Sequence, residues 1–143
     1  MICLGVDPGL SRVGIALGQD SLAVALETTP VEVCLDRISD LAREKHAVRI
    51  YFGLPLSLAG TETESTRNAV ELAQRLAGVV DIPLFLVDER LTSSLSSKLA
   101  MNAGKSTRES KRFVDAEAAR LIIESAIASN HRLGVRLEEY LAR

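Results

Sequence analysis

The spacing of apolar residues changes after the first thirty or so positions of this 143-residue chain, from strand periods alone to helices alternating with strands, and that change constrains the fold more than any other feature. Residues 2–7 form a short apolar run that ends at Pro8-Gly9. Residues 13–18 carry large side chains at every other position, and residues 22–27 alternate again after a Gln19-Asp20-Ser21 turn. Three close strands with short links predict an antiparallel meander. From Val31 the period lengthens: Val31, Cys34, Leu35, Ile38, Leu41 and Ala42 recur at helical spacing. A strand over 48–54 follows, ended by Pro55. A second helix is marked by Ala69, Val70, Ala73, Leu76 and Ala77. Pro83 opens a buried strand through Val87. Thr92 predicts a cap for a short helix over 93–101. Residues 102–113 read as a mobile polar loop, and a last helix runs from about Val114 to Ser129. Residues 135–142 read as an added turn or a short strand.

A meander followed by helix-strand-helix-strand predicts an α/β fold: a mixed five-stranded sheet covered by helices. The strand-helix-strand crossovers make parallel pairs. The first, fourth and fifth strands then end at one edge, where open α/β sheets bind ligands. The first and fifth strands lie two spacings apart, roughly 9.6 Å. Gly14 and Ala16 leave one face of the second strand nearly bare, which predicts a close neighbour there. With no internal repeat and no linker, residues 1–143 read as a single domain.

At that shared edge sit the acids. Asp7 closes the first strand, Glu89 follows the fifth, and Asp115 opens the last helix on its apolar stripe with Ala118, Ala119, Ile122 and Ala126. Carboxylates at the margin of a core are costly without a positive partner. Three together repel, so a cation is the natural compensation, and Mg2+ or Mn2+ chemistry on phosphate follows. Asp88 and Glu89 point to opposite faces of a strand, so only one joins Asp7. Glu89 is longer and lies further past the strand end, which makes it the expected ligand, with Asp88 left to pair with Arg90 or to orient a neighbour. Each acid also has an ordinary reading, Asp7 as a turn residue and the others as helix-terminal acids.

The charge pattern is divided, since an acidic chain counts against nucleic acid as a partner and an isolated basic run reads first as a solvated surface loop. The net charge is -2, yet the segment from Arg90 to Arg112 holds six Lys or Arg against one acid, a balance of +5. Arg12, Arg90, Lys105, Arg108, Lys111 and Arg112 are the candidate contacts to nucleic-acid phosphates. Apolar residues make up 47% of the chain, but no run reaches the ~18 residues that span a bilayer. No basic flank precedes the first apolar run, so no secretory signal and no membrane partner is expected. Cys3 and Cys34 read as reduced, buried thiols of a cytoplasmic protein. His46 and His131 read as surface residues, and the serines have no candidate base. No phosphate-binding Gly-rich loop ending in Lys-Ser/Thr is present. Three Phe, two Tyr and no Trp leave few platforms for base stacking.

Four stretches carry a resemblance: Gly5-Val-Asp7-Pro-Gly9-Leu-Ser-Arg12-Val-Gly14-Ile-Ala16, Gly53-Leu-Pro55-Leu-Ser with Gly60-Thr, Val87-Asp88-Glu89-Arg90-Leu-Thr92, and Lys111-Arg-Phe-Val-Asp115-Ala-Glu-Ala118-Ala119. In this order they resemble the YqgF family, Holliday-junction-resolvase-like proteins also described as pre-16S rRNA nucleases, in the ribonuclease H-like superfamily. The resemblance implies a ribonuclease H-like sheet of order 3-2-1-4-5 with strand 2 antiparallel. It implies a divalent-metal site at Asp7, Glu89 and Asp115, and maturation of the 5′ end of small-subunit ribosomal RNA in the cytoplasm. Ser57-Leu-Ala59 departs from the more polar stretch usual in the family, which puts a substrate contact from that loop in doubt.

The expected function is therefore a metal-dependent nuclease on structured RNA or branched DNA, a monomer or homodimer associated with the ribosome. Its rivals are a nucleotide phosphotransferase, for which one such domain is too few, and a ribosome-associated RNA-binding module whose acids are structural.

Overall fold

The structure, a computed structural model, describes residues 1–92 and 108–143, and for 108–114 the backbone alone. Strands β1 (Ile2–Asp7), β2 (Arg12–Gln19) and β3 (Leu22–Pro30) form the expected meander. Helix α1 (Cys34–Glu44), strand β4 (Arg49–Leu54), helix α2 (Glu64–Ala77) and strand β5 (Leu84–Asp88) follow. The sheet order is β3-β2-β1-β4-β5-β6. β1 pairs antiparallel with β2 and parallel with β4, and β4 pairs parallel with β5. The sixth strand, β6 (Val135–Arg136), adds to the expected five. It lies antiparallel to β5 and leads into helix α4 (Leu137–Leu141). Two residues are too few to show a period, so the tail, read as turn or strand, holds both a strand and a helix.

Alternation sorts each strand between two cores. Leu4, Val6, Ile15, Ile50, Phe52 and Leu86 pack under α1 and α2. α1 buries Cys34, Ile38, Leu41 and Ala42 against this face, and α2 buries Ala69, Leu72, Ala73 and Leu76. Each large side chain so buried contributes roughly 1.5–3 kcal/mol. α2 begins earlier than its apolar residues suggest, because Thr63 caps it. The Thr63 hydroxyl accepts from Thr66 N at 3.3 Å while Thr63 N donates to Thr66 Oγ1 at 2.9 Å.

On the other face, Cys3, Ala16, Tyr51 and Val87 meet Ala119, Ile122, Ile123 and Ala126 of helix α3 (Arg108–Ala128). This helix lies on the strip that the small residues leave open. A Cβ on Gly5 would come within 2.6 Å of Ile123 Cγ1, and one on Gly18 within 2.7 Å of Ile123 Cγ2.

α3 corrects two readings. It begins at Arg108, so residues 108–113 are helix where a polar loop was expected. Arg, Glu and Lys are good helix formers, and a polar turn shows no apolar stripe. Asp115 accordingly lies two turns inside the helix and does not open it. The helix expected over 93–101 and the remainder of the loop, 102–107, lie outside the described residues.

His131 is a further correction. It is half-buried, its Nδ1 lies 2.8 Å from the Tyr51 hydroxyl, and its ring stacks on Tyr51. A polar sequence context concealed that the turn after α3 folds back onto the sheet. His46 is exposed, as expected. Cys3 and Cys34 are free and buried on opposite faces, and burial raises the pKa of both thiols. Among the described residues, no helix is long and apolar enough to cross a membrane.

Candidate active site

Asp7 is the last residue of β1, and the alternation that puts Val6 in one core aims its carboxylate at α3. It is only 1% exposed. Its two neighbours across the sheet are glycines. Gly14 of β2 stands opposite Asp7. On β4, Val6 pairs with Phe52, so Gly53 is next to Asp7 on the other side. The row Gly14–Asp7–Gly53 thus carries one side chain between two bare positions.

Both bare positions are filled from elsewhere. A Cβ on Gly14 would lie 1.9 Å from the Asp115 carbonyl oxygen, so the backbone of Asp115 rests directly on Gly14. A Cβ on Gly53 would lie 2.9 Å from Glu89 Oε1, so the Glu89 carboxylate lies over Gly53. Glu89 is 3% exposed. It begins the short 3-10 turn Glu89–Leu91, and its carbonyl is held by Thr92, whose amide and hydroxyl donate at 3.3 and 3.1 Å. The Asp115 backbone and the Glu89 carboxylate therefore flank Asp7 on its two sides, on one face of one sheet edge.

Arg12 completes the group. It shares the parity of Gly14, and its Nε lies 3.2 Å from Asp115 Oδ2, both side chains being largely buried. This pair lends Asp115, far from the helix start, a positive partner. Among the described residues, no three His, Cys, Asp or Glu are already drawn into a cluster close enough to hold a metal. The donors nevertheless suit a hard cation: they are all carboxylate oxygens, and two of the three are buried at the core margin.

Asp88 faces the opposite side. Its carboxylate accepts from Arg90 N at 2.9 Å, from Nε at 3.1 Å and from Nη2 at 2.7 Å. That pairing raises the Arg90 pKa. Arg90 also lies against Gly60 and reaches the Leu58 carbonyl at 3.4 Å. It braces the loop after β4 on the α2 side, away from the acids. Of the other basic candidates, Arg108, Lys111 and Arg112 lie on the first turns of α3, ahead of Asp115. Their side chains, and Lys105 altogether, lie outside the described residues. Gly53 was legible only as part of a motif. Its signal was a glycine inside a strand, which marks a close approach.

Thermus thermophilus RuvC shares this architecture. In complex with Holliday junction substrate it matches with a TM-score of 0.59 at 13% identity, over 95% of this chain and 99% of that one. Another RuvC structure from the same organism gives 0.55 at 14% identity, with the same coverage. At such identity the likeness is one of fold, and the fold is ribonuclease H-like. Sequence narrows the class: the family model described as RuvX, Holliday junction resolvase, matches residues 1–129. The chain belongs to this family. It is 38% identical over 129 residues to a protein of Anaeromyxobacter sp. (strain K) named "Putative pre-16S rRNA nuclease", covering 87% of this chain and 94% of that one. A protein of the same name from Clavibacter michiganensis subsp. michiganensis (strain NCPPB 382) is 36% identical over 138 residues, covering 92% and 85%.

Proposed function

We propose that this protein is a divalent-metal-dependent nuclease, a single domain that hydrolyses phosphodiester bonds in structured RNA at the 5′ end of pre-16S ribosomal RNA. The observation that carries the reading is the Gly14–Asp7–Gly53 row, with Asp115 seated on one glycine and Glu89 on the other. A purely structural acid needs no such clearance on both sides. The family membership and the names of its relatives support the same activity.

Asp7, Glu89 and Asp115 would hold one or two Mg2+ or Mn2+ ions. Bound there, such ions acidify water and neutralise charge on a phosphate. The chain's own residues do the remaining work. Asp7 is fixed by the sheet on both sides. Thr92 fixes the backbone of Glu89, so its carboxylate swings about a rigid base. Arg12 has Asp115 as its anchor and presents a planar fork of donors to a phosphate oxygen. Arg108, Lys111 and Arg112, on the first turns of α3, would hold the flanking backbone.

A second reading, cleavage of branched DNA, is favoured by the description of the family model. One assay separates the readings. Purified protein is offered precursor ribosomal RNA, single-stranded RNA and a four-way DNA junction, with Mg2+, Mn2+ or EDTA. The expected result is metal-dependent cleavage of the precursor that Asp7→Asn abolishes without loss of fold. Cleavage that survives Asp7→Asn unchanged removes Asp7 from the mechanism. RNA binding that persists in EDTA with no cleavage of any substrate identifies a binding module instead.

A further inference from the structure

The acid edge continues across the sheet into a groove of about 320 Å³ between the β1–β2 turn and α2. Asp7 aims its carboxylate at α3, and the next residues, Pro8 to Leu10, form one wall of the groove. The other wall is a single stripe of α2 that includes Ser65, Asn68, Leu72 and Arg75. Groove and acids are therefore one peptide bond apart, on opposite sides of the same strand end.

We propose that this groove receives an unpaired base of the RNA strand whose phosphate lies at the acids. The inference rests on the nuclease reading and defines its substrate class, RNA with an unpaired nucleotide beside the scissile bond. The first argument is continuity, since Pro8, which follows Asp7 directly, lines the groove at the same sheet edge. The second is chemistry. Pro8, Leu10 and Leu72 supply apolar surface for the faces of a base, in a chain with few aromatic rings to stack on. Asn68 is exposed and offers both a donor and an acceptor, the pairing that the edge of a base requires. Arg75 adds a cation for the next phosphate at the far end of the wall, where Glu71 is the one acid among the described residues that line the groove. The third is shape. The volume lies within the range of small-ligand sites, which begins near 300 Å³. Leu10 is 75% exposed at the tip of its turn, an apolar side chain placed to enter where a base has left its stack. A base within a duplex is paired and stacked, so it must be released before it can enter.

The test uses a pentaribonucleotide carrying one 2-aminopurine, and the same strand with an abasic site at that position. Both are offered to Asp7→Asn protein, in which binding is expected without cleavage. The fluorescence of the base should change on binding. The abasic strand should bind about tenfold more weakly, the scale of one docked base. Ser65→Trp, at an exposed groove position, should abolish both effects, and the milder Asn68→Ala should reduce the discrimination. Equal binding of the two strands, or a fluorescence change that survives Ser65→Trp, overturns the proposal. Cleavage by the native protein is scored separately. A base signal without any cleavage would remove the nuclease reading and leave the groove assignment standing. Cleavage without a base signal would do the reverse.

Discussion

The two glycines that flank Asp7 should fail in different ways when each is given one methyl group. At Gly53 the new Cβ meets the far ends of two side chains, Glu89 Oε1 at 2.9 Å and Ile122 Cδ1 at 3.1 Å. Ordinary contact begins at 3.4 Å, so the Glu89 carboxylate must retreat by about 0.5 Å. A flexible tip can do that at little cost. Alanine also lowers the entropy of the unfolded chain, so the stability of Gly53→Ala should stay within about 1 kcal/mol of the native protein. The site has no such tolerance. A misplacement of 1 Å can cost about a hundredfold in rate, so half that distance should cost roughly tenfold in kcat. At Gly14 the new Cβ meets backbone, with the Asp115 carbonyl oxygen at 1.9 Å and its carbon at 2.2 Å. Here α3 itself must shift by about 1.5 Å to reach ordinary contact. Overpacking of this kind costs about 3 kcal/mol, a fall of roughly 10 °C in Tm for a chain this long.

Thermal melts and metal-dependent cleavage, measured together, check both claims. Gly53→Ala should melt as the native protein does and cut slowly, whereas Gly14→Ala should melt early. A third variant sharpens the test. Glu89→Asp shortens the carboxylate by one methylene and frees the space that the methyl group added by Gly53→Ala would need. The losses from Gly53→Ala and Glu89→Asp should then be non-additive, since both act on one group. Native kcat in Gly53→Ala, or losses that simply add, would refute the claim that Glu89 works from above Gly53.

Three other substitutions probe the surroundings. Asp88→Asn should retain cleavage while Glu89→Gln removes it, because Asp88 faces the other core and pairs with Arg90; parallel cleavage assays decide this. Thr63→Ala breaks the capping box of α2 and should cost about 1 kcal/mol, roughly 4 °C in Tm, with cleavage unchanged. Burial chiefly, with help from the positive charges of Arg49 and the N-terminus, lowers the His131 pKa below its ordinary 6.5. The unfolded chain then binds more protons just below pH 6.5, so this contribution to stability is present above that pH and is lost as pH falls toward the lower folded value. The drop in Tm between pH 7.5 and pH 5.5 should therefore shrink in His131→Gln, which keeps an acceptor for Tyr51; an undiminished drop would assign the effect elsewhere.

Much of this arrangement was legible because it is written in periods and in end positions. Alternation in 13–18 and 22–27 and the helical spacing from Val31 fixed the order of elements, and the order fixed the edge where β1 and β5 both end. Parity put Asp88 and Glu89 on opposite faces, and the length of Glu89 and its place past the strand end made it the expected partner of Asp7. The illegible parts are those that leave no period: the two residues of β6, the polar first turns of α3, and the turn that carries His131 back to Tyr51. Asp115 shows the difference most clearly. Its place on an apolar stripe could be read, but its depth in the helix could not, since Arg108 to Phe113 show no stripe of their own. Gly14 could be read as a bare patch awaiting a neighbour, but not that the neighbour is the backbone of Asp115. Once that contact is known, the glycine ceases to be a neutral spacer. It sets the height at which α3 lies on the sheet, and that height decides how near the Asp115 carboxylate can come to Asp7. The same holds for Gly53 and Glu89. The acids supply the charge of the site, and the residues that lack a side chain supply its geometry.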